Sequence, residues 1–152
     1  MPYDPMLPVD LYFDLGINDL AAVWFVQTLR GRHRIIDYYE VCGASIPDVV
    51  GEIKRRGYNN GEWVLPHDAK ARDFSTGKSQ EQVFYSLGCR PSRIVPRIGT
   101  KRESINAARM VFGACEFDGD KCKQGLKALA NYVRKWDSKN NTYTDSPCHN
   151  WA

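Results

Sequence analysis

Two aspartates carry the most chemical information in this chain of 152 residues. Asp14 lies within YFDLGIND, on the polar side of an alternating segment whose other side is Val9, Leu11 and Phe13. Asp68 follows directly on the apolar run WVLPH. A carboxylate on a strand central to a sheet is costly unless it is paired or binds a cation. If the strand before Asp68 pairs in parallel beside the first, both acids reach the carboxyl edge where open α/β sheets hold ligands. Two carboxylates converging without a base suit hard, oxygen-preferring ions such as Mg²⁺ or Mn²⁺. That chemistry fits phosphodiester hydrolysis with two metals, one activating water and one stabilising the leaving oxygen. Either acid alone reads more simply as a turn or capping residue; the pair in this order carries the argument.

Other candidates are weaker. Asp19, five residues after Asp14, either approaches the same site or simply makes the Asn18-Asp19 turn. His67 should point to the face opposite Asp68 if the strand continues regularly, and so reads as structural or a surface contact. Asp145 and His149 lie in a polar tail that pattern does not place. Gly77-Lys78-Ser79 opens a helix, but a phosphate-binding loop would need glycine at position 72, which is Arg72. Lys70, Arg72 and Lys78 are better read as phosphate contacts for a nucleic acid, which position a substrate without reading sequence.

The charge is asymmetric. Residues 1–76 hold eight basic and eleven acidic side chains, and residues 77–152 hold thirteen and seven. Between Gly88 and Arg109 six basic residues (Arg90, Arg93, Arg97, Lys101, Arg102 and Arg109) meet one acid, Glu103. Arg93, Arg97, Lys101 and Arg102 are therefore candidate DNA contacts beside acid-bound cations, although a solvated surface has the same composition.

With 43% hydrophobic and 26% charged residues, the chain has the composition of one globular domain. No apolar run approaches the roughly 18 residues that span a bilayer, so a membrane protein is excluded. Five scattered cysteines form no C-x-x-C pair and read as buried free thiols.

The elements that must position the acids follow from periodicity. Residues 1–8 contain three prolines and read as a linker remnant before a domain over 9–152. Strands are predicted at Val9–Asp14, at LAAVWFVQT and at RHRIIDYYEV, a meander with short turns. Ser45 caps a helix with the stripe Ile46, Val49, Val50 and Ile53, which Gly57 ends. EWVLPH is a fourth strand, followed by a polar loop over 68–77. Ser79 and Gln82 form a capping box for a short helix to about Leu87. SRIVP is a brief strand, and about 101–113 is helical with Ile105, Ala108 and Phe112 aligned. The strongest helix should be the last, with Cys122, Leu126, Leu129, Val133 and Trp136 on one stripe, and the segment from Ser138 onward irregular. This order implies an α/β fold, a mixed sheet of three antiparallel strands followed by αβαβ units, with helices on both faces.

VDLYFDLGINDLAAVWFVQ, EWVLPHDAKARDF, the basic SRIVPR and the ending INAARMVFGACEFD with GLKALANYVRKWD together resemble the nuclease domain of phage terminase large subunits. The resemblance runs over nearly the whole chain from Tyr3. It implies a ribonuclease-H-like fold and a metal-dependent endonuclease that cuts concatemeric double-stranded DNA during packaging. Asp14 matches the family's first-strand metal ligand, Asp68 its fourth-strand ligand, and Asp19 an extra acid found in some members. Implied partners are a packaging ATPase domain, the portal and the small terminase subunit, in the cytoplasm of the host bacterium. The family's third acid follows a serine- and histidine-containing motif, whereas this sequence reaches CHNWA and stops. The expectation is a trimmed domain with impaired metal binding and weak or no cutting. Two other readings remain: a resolvase- or ribonuclease-like member of the same fold, and a catalytically inactive docking module.

Overall fold

Alternation along the first strand is realised as β1 (Val9–Leu15), in which Val9, Leu11, Phe13 and Leu15 are buried. In the computed structural model, which describes residues 3–16, 20–74, 76–97, 99–132 and 134–147, β1 pairs antiparallel with β2 (Leu20–Leu29), and β2 with β3 (Arg32–Cys42). The predicted meander is therefore present. Helix α1 (Ile46–Arg55) starts at a Ser45–Asp48 capping box and buries Val49, Val50 and Ile53; Gly57 follows at a φ of 71°, where a side chain would strain the backbone. The chain then returns as β4 (Asn60–Leu65), parallel to β1, with Leu11 opposite Trp63 and Tyr12 opposite Val64.

After a single 3₁₀ turn (His67–Lys70), Ser79 and Gln82 form the expected capping box for α2 (Gln80–Ser86). β5 (Ser92–Ile94) adds to β4 in parallel. Helix α3 (Lys101–Phe112) is capped by Thr100 and Glu103. β6 (Cys115–Phe117) pairs in parallel with β3, giving a sheet of order β5-β4-β1-β2-β3-β6. One face carries the main core, in which Phe13 stacks on Trp63 and meets Phe84 of α2 edge-on, with ring centroids 5.7 and 5.1 Å away. On the other face Val26, Ile35, Tyr38 and Cys122 form a smaller cluster beneath α4 (Lys123–Ala130).

The structure departs from the sequence expectations. β6 is not among the predicted strands; three residues are too short a run for alternation to register. The last helix is the eight-residue α4, not a long one through Trp136. The apolar stripe continues past Ala130, but the chain there forms β7 (Arg134–Asp137). As far as Pro147 the tail is not irregular: β7 pairs antiparallel with β8 (Thr142–Pro147) through a turn in which Asn141 has a φ of 51° and Asp137 accepts the Lys139 amide at 2.9 Å. Asparagine tolerates that left-handed conformation, and aspartate readily closes such turns. The thiols divide as well: Cys89 and Cys122 are buried, but Cys42 is exposed and Cys115 half-buried, and all four are free. Cys148 lies outside the described residues.

The N-terminal segment is tied down. The fully buried Gln27 donates from Nε2 to the carbonyls of Asp4 (2.7 Å) and Leu7 (2.9 Å), and Tyr3 packs edge-on against Tyr58. Next to that contact a buried Asp37 accepts from Arg56 at 2.5 Å and from the same Tyr58 hydroxyl at 3.0 Å.

α4 sits so close to the sheet that glycine is required at position 125. A Cβ there would overlap the Trp24 ring and come within 2.9 Å of Tyr38. Alanine gains about 1 kcal/mol in helix propensity, but forcing volume into packed rings costs about 1–3 kcal/mol. Gly125→Ala should therefore lower stability by about 1 kcal/mol in urea denaturation. A stabilised variant would show that α4 is not seated on Trp24.

Candidate active site

β1 lies inside the sheet, hydrogen-bonded to β2 on one side and β4 on the other. Asp14 is two residues beyond the Tyr12–Val64 register pair, near the carboxyl end of β1. Asp68 comes just past the carboxyl end of β4, in the 3₁₀ turn, where the Ala71 amide bonds back to the Asp68 carbonyl at 2.8 Å. Fully buried Ala69 anchors that turn while Asp68 stays at the surface. Parallel pairing thus delivers both acids to one edge.

Their proximity is electrostatically legible. Asp14 is open to solvent along one side, yet its carboxyl is held above the ordinary carboxylate range, first by the protein that packs around it and second by the negative charge of Asp68. Among the described residues no third acid, histidine or cysteine joins the two in a cluster suited to a metal. Asp19 lies outside the described residues, as does His149, and Asp145 falls on β8 with its side chain outside them.

One acid that the sequence reading passed over lies in the same cross-strand row. Asp14 is opposite Ala22, and Ala22 opposite Glu40 of β3. Glu40 accepts from the Tyr38 hydroxyl at 2.5 Å and from the Gln124 amide of α4. The Tyr38 phenol is pushed up by burial, then by its bond to Glu40 and that residue's charge, and also by Asp14. Its signal in the sequence was the i, i+2 spacing of Tyr38 and Glu40 on a strand, visible only once the register with β1 is known.

The basic candidates form two groups. Lys70, Arg72 and Lys78 are exposed on the loop after Asp68. That loop is ordered by an Arg72–Ser79 bridge, by the Asp73 amide on the Lys78 carbonyl (3.0 Å) and by the Thr76 amide on Asp73 Oδ1 (2.8 Å). Phe74 protrudes fully from it. Arg93 of β5 is already engaged by Glu62, at 3.0 Å. Arg102 is exposed on α3, whereas Arg97 and Lys101 line a groove of about 840 Å³. This groove lies between α3 and the β1–β4 half of the sheet and begins beside the acids, since Tyr12, Phe13, Pro66 and His67 all line it. His67 therefore faces the groove and is solvent-exposed. Ile105, Ala108 and Phe112 of α3, aligned as expected, also face the groove, and α3 buries no residue.

No model of a known protein family matches the sequence, and no curated protein matches it. Solved structures share its fold. The large terminase of a thermophilic bacteriophage, in complex with ATP-gamma-S, aligns with a TM-score of 0.69 and 13% identity, over 98% of this chain and 37% of that one. The nuclease domain of the P22 large terminase aligns with a TM-score of 0.67 at 13% identity, over 96% of this chain and 77% of that one. The large terminase nuclease domain from the bacteriophage SPP1, with bound Mn, gives 0.63 at 13% identity, over 95% and 77%. This chain spans little more than a third of the thermophilic phage protein. The chain has the fold of large terminase nuclease domains: the mixed sheet is the one expected from its element order, and its ribonuclease-H-like form the one the resemblance implies.

Because the folded-state pKa of Asp14 lies above its ordinary value of 3.8, its ionised form destabilises the fold. Its protonated form contributes stability that is fully present below pH 3.8 and is lost as pH rises through the folded-state pKa. Asp14→Asn should therefore melt slightly above the parent protein at pH 7, with the difference closing below pH 3.8. Scanning calorimetry at the two pH values checks this; a gain that persists in acid would show that charge is not its cause.

Proposed function

We propose that this chain is the divalent-metal-dependent nuclease domain of a viral genome-packaging terminase, hydrolysing phosphodiester bonds in double-stranded DNA. The observation that carries the reading is the convergence of Asp14 and Asp68 at the carboxyl ends of adjacent parallel strands. The shared fold supports it, as does the Mn held by the SPP1 nuclease domain. The donor set fits Mg²⁺ or Mn²⁺: two carboxylates with no thiolate beside them among the described residues, and an Asp14 pKa raised by burial and then by the charge of Asp68, a charge that a cation would relieve.

Asp14 and Asp68 would hold the metal, with Asp19 completing the set. When bound, two such ions make water a nucleophile near neutral pH and stabilise the leaving oxygen. The protein's own groups do the rest. Lys70, Arg72 and Lys78 on one side, with Arg97, Lys101 and Arg102 on the other, grip phosphates so that the scissile one rests between the acids. Arg93 joins them by exchanging Glu62 for a phosphate. Binding of this kind weakens steeply with salt, because each neutralised phosphate releases counterions. In the assembled terminase the domain would act with the packaging ATPase, the portal and the small subunit in the cytoplasm of an infected bacterium. Among the described residues no helix is long and apolar enough to cross a membrane.

A second reading is an inactive docking module, favoured by the lack of a three-ligand cluster among the described residues. Mn²⁺ titration by calorimetry, with nicking of supercoiled plasmid in parallel, separates the two. The parent protein should bind Mn²⁺ and Asp14→Ala should bind at least about tenfold more weakly, since ligand loss exceeds the effect of outer-shell changes. Equal Mn²⁺ affinity in both proteins would overturn the nuclease assignment.

A further inference from the structure

We infer that the groove between α3 and the sheet holds unpaired bases of a nucleic-acid strand, so that the substrate is locally single-stranded beside the acid pair. The inference rests on the nuclease reading and adds to it the state of the DNA at the cut.

Three features of the groove select this occupant. Its lining is mostly apolar and includes the aromatic residues Tyr12, Phe112, which also meets Phe117, and Tyr132. Phe112 and Tyr132 keep 43% and 38% of their surface exposed, unusually much for large apolar side chains that line one cavity. Arg97, Lys101 and Arg109 also line it, and among the described residues no aspartate or glutamate does. An apolar peptide would have no use for three cations, and a free phosphate none for the aromatic residues. A polyanion with flat apolar faces uses both, through stacking and phosphate contacts together. A duplex keeps its bases stacked inside and could use only the cations.

Position supports the same occupant. Tyr12 is two residues before Asp14 on the same face of β1, and His67 directly precedes Asp68, so the acids neighbour residues that line the groove without lining it themselves. At about 840 Å³ it is within the size range of ligand clefts, large enough for a few nucleotides and too small for a duplex. A strand with its bases between α3 and the sheet leads its next phosphate toward Asp14 and Asp68. The pairing energy of the duplex must then be met when DNA is cut, which favours frayed, nicked or mechanically melted sites.

The test is fluorescence anisotropy in EDTA, so that metal binding and cutting play no part. The probes are a labelled thymidine 12-mer, the same strand with abasic sugars, and a 12-base-pair duplex. The single strand should bind at least about tenfold more tightly than the abasic strand at the same salt. Phe112→Ala and Tyr132→Ala should each weaken it about tenfold, within the range for loss of one stacked base. Duplex affinity should change less than twofold in both variants. Arg109→Ala should weaken all three probes alike. Equal binding of the normal and abasic strands overturns the inference, as does loss of thermal stability in the aromatic variants with DNA affinity unchanged, which would mean that the groove is structural. Mn²⁺ binding that depends on Asp14, found together with base-independent DNA binding, would sink this inference and leave the nuclease reading intact. Base-dependent binding without Mn²⁺ binding would do the reverse.

Discussion

Two carboxylates stay side by side at a sheet edge only when backbone pairing holds them there against their repulsion. In this protein the constraint is the parallel pairing of β1 with β4, which fixes Leu11 opposite Trp63 and Tyr12 opposite Val64 and so leaves no freedom in where Asp14 and Asp68 emerge. The pairing is itself locked from below, where Phe13, Trp63 and Phe84 stack into one aromatic knot. A one-residue slip of β1 would send its buried side chains to the open face and Asp14 into that knot. Core packing and site geometry are therefore one specification. Burial of each such ring contributes on the order of 1.5–3 kcal/mol, and that packing holds the two acids together.

The same logic explains which parts of the molecule were legible in the sequence. β1 to β3 were clear because each runs long enough for alternation to declare itself, and the helices starting after Ser45 and Ser79 because a capping box is a local signal that tertiary structure rarely overrides. That Asp14 and Asp68 reach one edge was conditional on β4 pairing in parallel beside β1, the pairing that the structure has. What failed was decided elsewhere. β6 exists because β3 offers it a free edge, at His33 to Ile35, not because CEF favours a strand. α4 stops at Ala130 although Leu129, Val133 and Trp136 continue a helical stripe, and the Asn140-Asn141 turn then allows β7 and β8 to pair. An apolar residue at every third or fourth position fits a helix and, over four residues, a strand equally well. The groove was not legible, since its walls come from β1, β4, α3 and the end of α4, and only the fold brings them together.

The groove is a consequence of how little of the outer face α4 covers. Tyr12, Trp24 and Tyr38 form one cross-strand row over β1, β2 and β3. α4 closes over the β2–β3 end of that row, where Gly125 lets its backbone rest on Trp24 and Tyr38. At the β1 end Tyr12 stays 37% exposed. α3 spans the uncovered half without sealing it and buries none of its own residues. A helix with an apolar stripe and no buried residue is only half used as a structural element. Its remaining surface is what makes the half-sheet beside Asp14 and Asp68 a cleft with two walls instead of an open plane.

Identities near 13% with folds this alike show what such a domain must keep. The fold asks for pattern: alternation on the central strands, caps at helix starts, and small residues where a helix meets the sheet. Many sequences satisfy those demands, so comparison by residue identity fades while topology persists. A site of two converging carboxylates asks for very few fixed residues, because the strand order supplies its geometry. Two acids at the ends of two neighbouring parallel strands are the least a sequence can specify and still build it. In this chain the two charged side chains that the topology forces together therefore say more than any recurrence of residues.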